Sequence, residues 1–436
     1  MMPMTPLASL LIGLQLFLGG LPRGIGPGSG STCPLDPAGS AVWAKKIALG
    51  STSWPALFHG IPLAAGGSLA VGSVSGYPSD GWIIQVNAAG TIDKQWSYAC
   101  QKYDRLLGVT ATADGGFVAM GKTNFEANDQ GGDGWLMKLD KDLVPKWNKT
   151  YDLGKQQNDF RQAACLTDGG FLLAGGYSDT DGSSSLIARA NATGGVVWAI
   201  KIEDTIFAAM IPTPDKGLLA LVRVNGELSW LPTLIKLDST GKVKWAKKCD
   251  LDYEFRSGFV TSSGDFIIGG SSASHNLAMK VTSGGAVKWQ SAFGSTFSYM
   301  SKIFPAPGGG SYFVASYNSN VQVIVAKTTA TGGLSFARGY APLIGNFQES
   351  VDHAFQATDG SIVMLCNSVG TAAIIRFDAN GRTDSKCKLN PVTYKRTNPK
   401  LTLEDIDIAP KKVKLTVKAV KVIRKATAAV LEDSCK

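Results

Sequence analysis

The chain has little charge, few histidines and no closely spaced cysteines, and each shortage argues against a class of protein. Of its 436 residues, 18% are Asp, Glu, Lys or Arg. Such a low charged fraction argues against a coiled coil or a disordered chain. The seven cysteines form no C-x-x-C motif and no adjacent pair. A zinc ribbon, a thioredoxin-like redox centre and a c-type haem site are therefore not expected.

Recognisable catalytic motifs are also missing. The three histidines, His59, His275 and His353, have no His or Cys at metal-ligand spacing, and each is interpreted as a structural residue. No GxSxG, HExxH or P-loop sequence occurs, and no GxGxxG follows a predicted strand. The sequence therefore predicts no catalytic residue and no organic cofactor.

One apolar run, at residues 6–21, lacks charged side chains. It is short for a membrane-spanning helix, which needs about 20 apolar residues, and it resembles the h-region of a signal peptide. A Gly/Ser-rich linker follows at residues 24–32. We therefore expect residues 1–32 to direct the protein to the periplasm or cell surface, with no stable transmembrane span after processing. Cleavage and anchoring both stay open.

What the chain has in abundance is glycine, 51 residues of it, and a regular internal repeat. An aromatic residue recurs at spacings of 44 to 53 residues, at Trp43, Trp96, Trp147, Trp198, Trp245, Trp289 and Phe336. Between these aromatics lie turn sequences such as TADGGFVAMGKT at residues 112–123 and TDGGFLLAGGYS at residues 167–178. Asp-Gly-Gly between apolar runs predicts a hairpin. Each repeat thus has four strands, A and B around this turn, then C, then the aromatic strand D.

Four antiparallel strands per repeat of this length predict a propeller blade. Complete sets of strands A to C begin near Leu57, Arg105, Phe160, Thr205, Tyr253, Tyr299 and Glu349. We therefore predict an all-β fold, a seven-bladed β-propeller over residues 33–390. The last set has no aromatic strand D, and the first aromatic strand, residues 41–47, has no blade before it. The N-terminal strand is accordingly predicted to complete the seventh blade and close the ring.

Ring closure brings Cys33 and Cys387 into one neighbourhood, so a disulfide between them is predicted. Cys435 also flanks the repeats and stays an alternative partner. Cys165 and Cys366 fall in predicted strands and are interpreted as buried thiols.

The period of the strand D aromatics predicts that they pack between blades. Trp82 and Trp135 recur as well, at the start of strand C. Trp54 and Trp230 fit no period, and two interpretations stay open for them. They could pack in the core, or they could be exposed and stack on a sugar.

The loops between strands B and C in the early blades are rich in Asp and Gly. Four carboxylates there are candidate calcium ligands: Asp129, Asp133, Asp179 and Asp181. Ordinary turn chemistry explains the same residues equally well. Calcium is thus the one metal that the sequence allows us to consider.

The segment GGDGWLMKLDKDLVPKWNKTYDLGKQQNDFRQAACLTDGGFLLAGGYS resembles the secreted propeller repeats of bacterial and archaeal surface proteins. The resemblance extends over about residues 41–389, and the turn before each Trp is also similar to quinoprotein-like and WD40-like blades. It implies a propeller outside the cytoplasm and no specific activity. Quinone enzymes of that kind would have eight blades and often a vicinal disulfide, so no quinone is expected here.

The C-terminal tail, residues 391–436, carries a net charge of +6, against +3 for the rest of the chain. Its alternating apolar and basic residues, as in VKLTV at residues 413–417, predict extended strands with a basic face. The tail could pack on the propeller, pair with a second subunit or dock at the cell surface. Our hypothesis is attachment or self-assembly, with a cell-surface protein or polysaccharide as partner and not a nucleic acid.

Two functions stay open on the sequence. The first is a non-catalytic binding or structural platform. The second is an extracytoplasmic enzyme, a polysaccharide hydrolase or lyase or an oxidoreductase, with its site at the mouth of the central channel. The side chains at that mouth separate the two, because convergent acidic, basic and histidine side chains favour the enzyme.

Overall fold

The computed structural model describes residues 42–49, 54–75, 79–100, 102–123, 132–154, 157–179, 182–226, 229–250, 253–294, 298–317, 322–341, 350–368, 370–387, 389–390, 394, 396–427 and 429–433. All regular elements within these residues are β-strands. The described part of the chain contains no helix that is long and apolar enough to cross a membrane. Asp36–Lys436 forms one compact unit, so the tail belongs with the repeats.

The strands follow one another as consecutive antiparallel hairpins. The first strand is β1 (Trp43–Ala48). Blade 1 contains β2 (Trp54–Pro62), β3 (Ser68–Ser75), β4 (Asp80–Val86) and β5 (Ile92–Ala99). Blade 2 contains β6 (Arg105–Ala111), β7 (Phe117–Thr123), β8 (Asp133–Leu139) and β9 (Pro145–Asp152). Blade 3 contains β10 (Gln157–Asn158), β11 (Gln162–Cys165), β12 (Phe171–Asp179), β13 (Gly182–Ala190) and β14 (Val196–Glu203). In blade 3, β10 and β11 together form strand A.

Blades 4 to 7 repeat the arrangement. Blade 4 contains β15 (Thr205–Pro212), β16 (Leu218–Asn225), β17 (Trp230–Leu237) and β18 (Val243–Cys249), and blade 5 contains β19 (Glu254–Val260), β20 (Phe266–Ser271), β21 (Asn276–Val281) and β22 (Val287–Phe293). Blade 6 contains β23 (Ser298–Pro305), β24 (Ser311–Tyr317), β25 (Gln322–Thr328) and β26 (Leu334–Tyr340). Blade 7 contains β27 (Ser350–Gln356), β28 (Ile362–Ser368) and β29 (Thr371–Phe377). Seven sheets are thus present in the described chain, and the predicted propeller is confirmed.

The N-terminal strand closes the ring as predicted. In blade 7 the strand order is β27-β28-β29-β1, so β1 takes the position of strand D. Its register with β29 runs from Trp43 opposite Arg376 to Ile47 opposite Ala372. This closure leaves the ring with no open interface between its first and last blades.

The tail continues the chain around the outside of the ring. Its strands are β30 (Leu389–Asn390), β31 (Arg396–Thr397), β32 (Leu403–Asp405), β33 (Lys411–Lys412), β34 (Thr416–Ala419), β35 (Ile423–Ala426) and β36 (Val430–Asp433). Each pairs antiparallel with the outermost strand of one blade, in the order 6, 5, 4, 3, 2, 1, 7. We call residues 389–433 the belt. The four-stranded blades are confirmed, and the belt adds a fifth strand to every one.

The belt is held by apolar packing as well as by backbone pairing. Buried belt side chains, among them Tyr394, Leu401 and Leu415, join the apolar clusters that lie between neighbouring blades. Ion pairs add to this contact, with the belt supplying the acidic partner in some and the basic partner in others. Asp405 Oδ1 lies 2.8 Å from Lys247 Nζ, and Lys425 Nζ lies 3.4 Å from Asp80 Oδ2. Of the three alternatives for the tail, the structure shows packing on the propeller.

The recurring aromatics join each blade to the next, which confirms their predicted packing role. Indole N–H groups donate to a carbonyl in the C–D turn of the following blade at 2.9–3.1 Å, in the pairs Trp43–Ala88, Trp198–Ser239, Trp245–Ser283 and Trp289–Ala330. Gly332 in such a turn has φ +76°, and a Cβ there would lie 2.6 Å from the Trp289 ring. A side chain at this turn position would clash with the aromatic ring of the neighbouring blade, so the interface needs a glycine there.

A second motif of the repeat forms an ion pair inside each of five blades. A basic residue of strand C contacts the Asp of the A–B turn in the pairs Lys138–Asp114, Arg189–Asp168, Lys236–Asp215, Lys280–Asp265 and Arg376–Asp359. The side chains of Lys236 and Arg376 are buried, with 9% and 1% exposed. The Asp carboxylate compensates this buried positive charge, so an ion pair joins the A–B turn to strand C.

Cys387 is buried and disulfide-bonded. The thiols of Cys100, Cys165, Cys249 and Cys366 are free. Cys33 and Cys435 lie outside the described residues, so the pairing of Cys33 with Cys387 stays a prediction.

Truncation of the belt core should destabilise the whole propeller. Leu415 is 6% exposed, so Leu415→Ala removes buried apolar contact and should lower the free energy of unfolding by about 2–4 kcal/mol. The control is Ile423→Ala in the same belt, because Ile423 is 54% exposed and should change it by less than about 1 kcal/mol. Urea unfolding measures both, and equal small effects would show that the belt does not pack on the blades.

Peptide mapping without reduction tests the disulfide. After alkylation in denaturant, Cys100, Cys165, Cys249 and Cys366 should be alkylated, because they are free thiols. Cys387 should be recovered in a cross-linked peptide with Cys33. A cross-link from Cys387 to Cys435 would overturn this pairing, and a free Cys387 thiol would refute the disulfide itself.

Candidate functional site

The predicted calcium ligands do not form a defined cluster in the described part of the chain. Asp129 and Asp181 lie outside the described residues, and of Asp179 only the backbone, at the end of β12, is described. Asp133 is half-buried, and its pKa is raised to about 6, first by burial and then by the charge of Asp152. No group of three or more His, Cys, Asp or Glu suited to a metal occurs among the described residues. Calcium at these loops stays a prediction.

The irregular tryptophans divide between the two interpretations. Trp54, the first residue of strand A in blade 1, is 63% exposed. Trp230 is half-buried at the start of β17. The periodic Trp82 and Trp135 are fully buried. Trp54 is therefore the one of the four that lies ready for contact with a ligand.

The centre of the ring is built from a repeated irregularity of strand A. In six blades a β-bulge interrupts the pairing of strand A with strand B, and in blade 3 the break falls between β10 and β11. A bulge redirects one side chain of its strand. The residues at these breaks line one cavity at the centre of the ring: Phe58, Leu107, Arg161, Ala208, Arg256, Ser301 and Asp352. Every blade thus contributes one side chain.

This inner cavity, which we call the chamber, has a volume of about 270 Å³. The residue after the break also lines it in several blades, at His59, Gln162, Lys302 and His353. A volume of this size accommodates a small group such as a carboxylate or a phosphate, and not a whole sugar chain. The chamber therefore has the dimensions of a seat for one functional group.

A wider cavity of about 700 Å³, which we call the mouth, lies next to the chamber and shares Arg161, Arg256 and Asp352 with it. Arg223, Glu254 and Tyr299 complete its polar wall. Small-molecule sites commonly have volumes of 300–1,000 Å³. Mouth and chamber share part of their lining and together form one site that carries several charged side chains.

Three arginines at the mouth share two acidic partners. The Arg161 guanidinium is bidentate on Asp159, with its Nε 3.0 Å from Oδ1 and its Nη2 3.0 Å from Oδ2. Arg223 Nη1 lies 2.5 Å from Glu254 Oε1, and Arg256 contacts the other oxygen of the same carboxylate. A guanidinium has five N–H donors, so Arg223 and Arg256 together carry more N–H groups than the Glu254 carboxylate can accept. The side chains of Arg161 and Arg256 are 47% and 45% exposed and can reach a ligand.

Asp352 is the acidic group that belongs to both cavities. Burial raises its pKa to about 6, although hydrogen bonds from Ser350 and Asn367, each 2.8 Å from Oδ2, favour the ionised form. Asn367 also exchanges two hydrogen bonds with the Leu57 peptide, at 2.9 and 2.7 Å, which ties blade 7 to blade 1. Asp352 is therefore held in place by the ring and titrates close to neutrality.

Two of the three histidines meet in the chamber, whereas the sequence interpretation treated them as unrelated. The ring centroids of His59 and His353 are 3.9 Å apart. Burial lowers the pKa of His59 to about 3, with Lys302 adding to the effect. Burial, and then His59 and Lys302, hold the pKa of His353 well below its usual range. Both imidazoles are neutral at pH 7. His275 lies elsewhere, with Nδ1 3.0 Å from Ser274 Oγ.

Lys302 supplies the unpaired charge of this site. It lines the chamber and makes no ion pair with any described residue. Burial lowers its pKa to about 8. A lysine held in such surroundings costs stability, and its position in a cavity makes it a candidate for ligand binding or catalysis.

The chamber residues share one position in the sequence repeat, at a fixed distance from the A–B turn. In every blade the residue after the break lies seven positions before the positive-φ residue of the A–B turn, which is Gly66, Gly115, Gly169, Lys216, Gly264, Gly309 or Gly360. Alignment on that turn places His59, Gln162, Lys302 and His353 in one column. The histidines therefore share a structural position and are not isolated.

No protein-family model matches the chain, and no curated protein matches its sequence. The similar solved structures include the Dos1 propeller, at 11% identity over 79% of this chain and 96% of that chain, with a TM-score of 0.48. They also include Sqt1 of Chaetomium thermophilum bound to the N-terminus of ribosomal protein L10 (13%; 74% and 97%; 0.46) and virginiamycin B lyase from Staphylococcus aureus (10%; 73% and 94%; 0.43). These similarities concern the fold alone.

Replacing Lys302 by an uncharged residue should stabilise the protein in a pH-dependent way. Its folded pKa of about 8 lies below its ordinary value of 10.5, so the charge costs stability below pH 8 and this cost disappears as the pH rises to 10.5. Lys302→Met should therefore raise the free energy of unfolding by about 1–3 kcal/mol at pH 7, and less at pH 10. Urea unfolding at both pH values measures this.

The matched control is Lys242→Met, since Lys242 is exposed in the C–D turn of blade 4. It should change the free energy of unfolding by less than about 0.5 kcal/mol at either pH. A Lys302→Met protein that is no more stable than the wild type at pH 7 would contradict the lowered pKa.

Proposed function

We propose that this protein is a non-catalytic binding propeller that holds an acidic saccharide at the mouth of its central channel. The observation that carries the proposal is the sharing of one carboxylate, Glu254, between Arg223 and Arg256. Arginine forks match the geometry of a carboxylate or sulfate, so a ligand of that charge would bind the N–H donors of these two arginines that Glu254 does not occupy.

Exposed aromatics support a sugar as the carrier of that charge. Tyr299 stands at the wall of the mouth and is 41% exposed, and Trp54 is 63% exposed on strand A of blade 1. The exposed part of such a ring offers an apolar surface on which a sugar ring can stack, while its polar edge stays in water. A small inorganic anion alone would not use these rings.

The belt supports attachment to an acidic surface. Its lysines Lys400, Lys412, Lys414 and Lys421 are exposed and make no ion pair with a described residue. They lie along the rim of the ring and would attract an anionic polymer over roughly a Debye length, about 8 Å at physiological salt. Since the belt strands are already paired with the protein's own blades, we propose attachment through these side chains and not assembly through strand exchange.

We also propose that the protein acts outside the cytoplasm, in the periplasm or at the cell surface. The apolar run at residues 6–21 supports export, and the disulfide at Cys387 is typical of an oxidising compartment. Disulfide mapping of the protein recovered from its producing cells tests this location. We expect Cys387 to be disulfide-bonded there, and a free Cys387 thiol would argue for a reducing compartment.

One observation favours an enzyme as the second candidate. Asp352 has a pKa of about 6 and shares the chamber with Lys302, whose pKa is about 8. Two groups that titrate on either side of neutrality are suited to acid–base chemistry, as in a polysaccharide lyase or hydrolase. Incubation with the bound saccharide, followed by measurement of new chain ends, distinguishes this candidate from a binding protein.

Removal of a mouth arginine should weaken saccharide binding. With oligogalacturonate as the probe, Arg223→Gln should raise the dissociation constant about 10- to 100-fold, because one charge-assisted pair is lost. The matched control is Arg382→Gln, since Arg382 is exposed in the C–D turn of blade 7 and should leave binding unchanged. Isothermal calorimetry at fixed salt measures each constant.

A neutral oligogalactose of equal length provides the charge control, and it should bind at least tenfold more weakly than oligogalacturonate. Equal binding of the two saccharides would overturn the acidic specificity. Equal binding to wild type and Arg223→Gln would remove the mouth from the site.

A further inference from the structure

The chamber next to the mouth contains polar side-chain groups that have no hydrogen-bond partner among the described residues. Buried polar groups in native proteins are nearly always paired, and an exception calls for an explanation. Among the described residues, two chamber atoms are buried without a partner, Nδ1 of His59 and Nε2 of His353. Both belong to the pair of neighbouring imidazoles, whose ring planes are tilted by 36°.

The hydrogen bonds of His353 determine where its proton lies. Its Nδ1 accepts from the Gly60 backbone N–H at 3.3 Å, a bond between blades 7 and 1. A neutral imidazole that accepts at Nδ1 carries its proton on Nε2. The unpartnered Nε2 is therefore an N–H donor, on a side chain that is 7% exposed and lines the chamber.

Two further chamber residues present donors. Gln162 Oε1 accepts from the Met210 N–H at 2.5 Å, which leaves its NH2 group as a donor. Lys302 adds an ammonium group without an ion-pair partner among the described residues. The carboxylate in the chamber, Asp352, already accepts from Ser350 and Asn367. Within the described residues, no hydrogen bond joins His353 Nε2, the Gln162 NH2 group or Lys302 to this carboxylate or to another chamber acceptor.

We propose that the chamber is a seat for one small oxyanion, a carboxylate, sulfate or phosphate group, held by Lys302, His353 and Gln162. The volume of about 270 Å³ suits such a group. Arg161 and Arg256, at the boundary with the mouth, would add charge from the side on which the ligand enters. The oxyanion could be free in solution or the terminal acidic group of a saccharide; the second case rests on the proposed function.

Sulfate is the probe of choice, because it does not titrate between pH 7 and pH 9. Calorimetry at constant ionic strength should show saturable binding to the wild type at pH 7. Lys302→Met should weaken it at least tenfold, whereas Lys242→Met and Arg382→Gln, both in exposed C–D turns, should leave it within about twofold.

The pH dependence in the wild type gives a second measurement that needs no variant. Sulfate affinity should fall about tenfold between pH 7 and pH 9, because Lys302 loses its proton there. Arg161 and Arg256 stay charged, Asp352 is ionised, and His59 and His353 are neutral throughout this range. Lys302→Met should show no such dependence.

Equal sulfate binding by wild type and Lys302→Met, or equal weakening by Lys242→Met or Arg382→Gln, would overturn the seat. Acetate and oligogalacturonate distinguish the two sources of the oxyanion. Competition of both with sulfate supports a terminal acidic group in the chamber. Sulfate binding without saccharide binding would leave the seat intact and refute the proposed function. Saccharide binding that depends on Arg223, without sulfate binding, would refute the seat and leave the proposed function intact.

Discussion

The outer edge of each blade sets the constraint on which this architecture depends. A strand at the edge of a sheet presents a row of unpaired N–H and C=O groups, and a seven-bladed ring has seven such edges. This chain pairs all seven with its own C-terminal belt, in strands of two to four residues. Because the belt side chains also enter the apolar clusters between blades, the pairing of edges and the packing of interfaces are one interaction.

The same principle operates at the inner edge with a different solution. Bulges in strand A remove regular backbone pairing around the channel, and side chains of the neighbouring blade replace it. Ser257 Oγ accepts from the Ile303 N–H at 2.7 Å, and Gln162 and His353 accept in the same way. The residues that close the ring on the inside are therefore the residues that line the site. A ligand in the chamber would contact groups that also hold neighbouring blades together.

The sequence was sufficient to predict the number of blades, their strands and the closure by β1. These features follow from turns and aromatics that repeat in every blade and act between adjacent blades. The destination of the tail was not predictable in this way, because VKLTV at residues 413–417 would pair equally well with any exposed edge. Its position depends on seven free edges that exist only once the ring has formed.

The candidate site was harder to predict for a different reason. Its residues come one or two from each blade, so His59 and His353 are distant in the chain and adjacent in the ring. Their common position before the A–B turn is a usable signal, but the bulge that turns them inward has no distinct sequence pattern. Arg256, Ser301 and Asp352 occupy the same break in three blades and share no chemistry. The acidic B–C loops were the sequence's candidates because Asp and Gly are conspicuous there, and most of their residues lie outside the described ones.

The reverse course of the belt determines how the protein would bear a mechanical load. A pull on the C-terminal end acts first on β36, whose four residue pairs with β1 lie in the closing blade. It then reaches β35 and β34, one blade at a time, before any ring strand is stretched. The belt would thus yield in small successive steps while the channel keeps its shape.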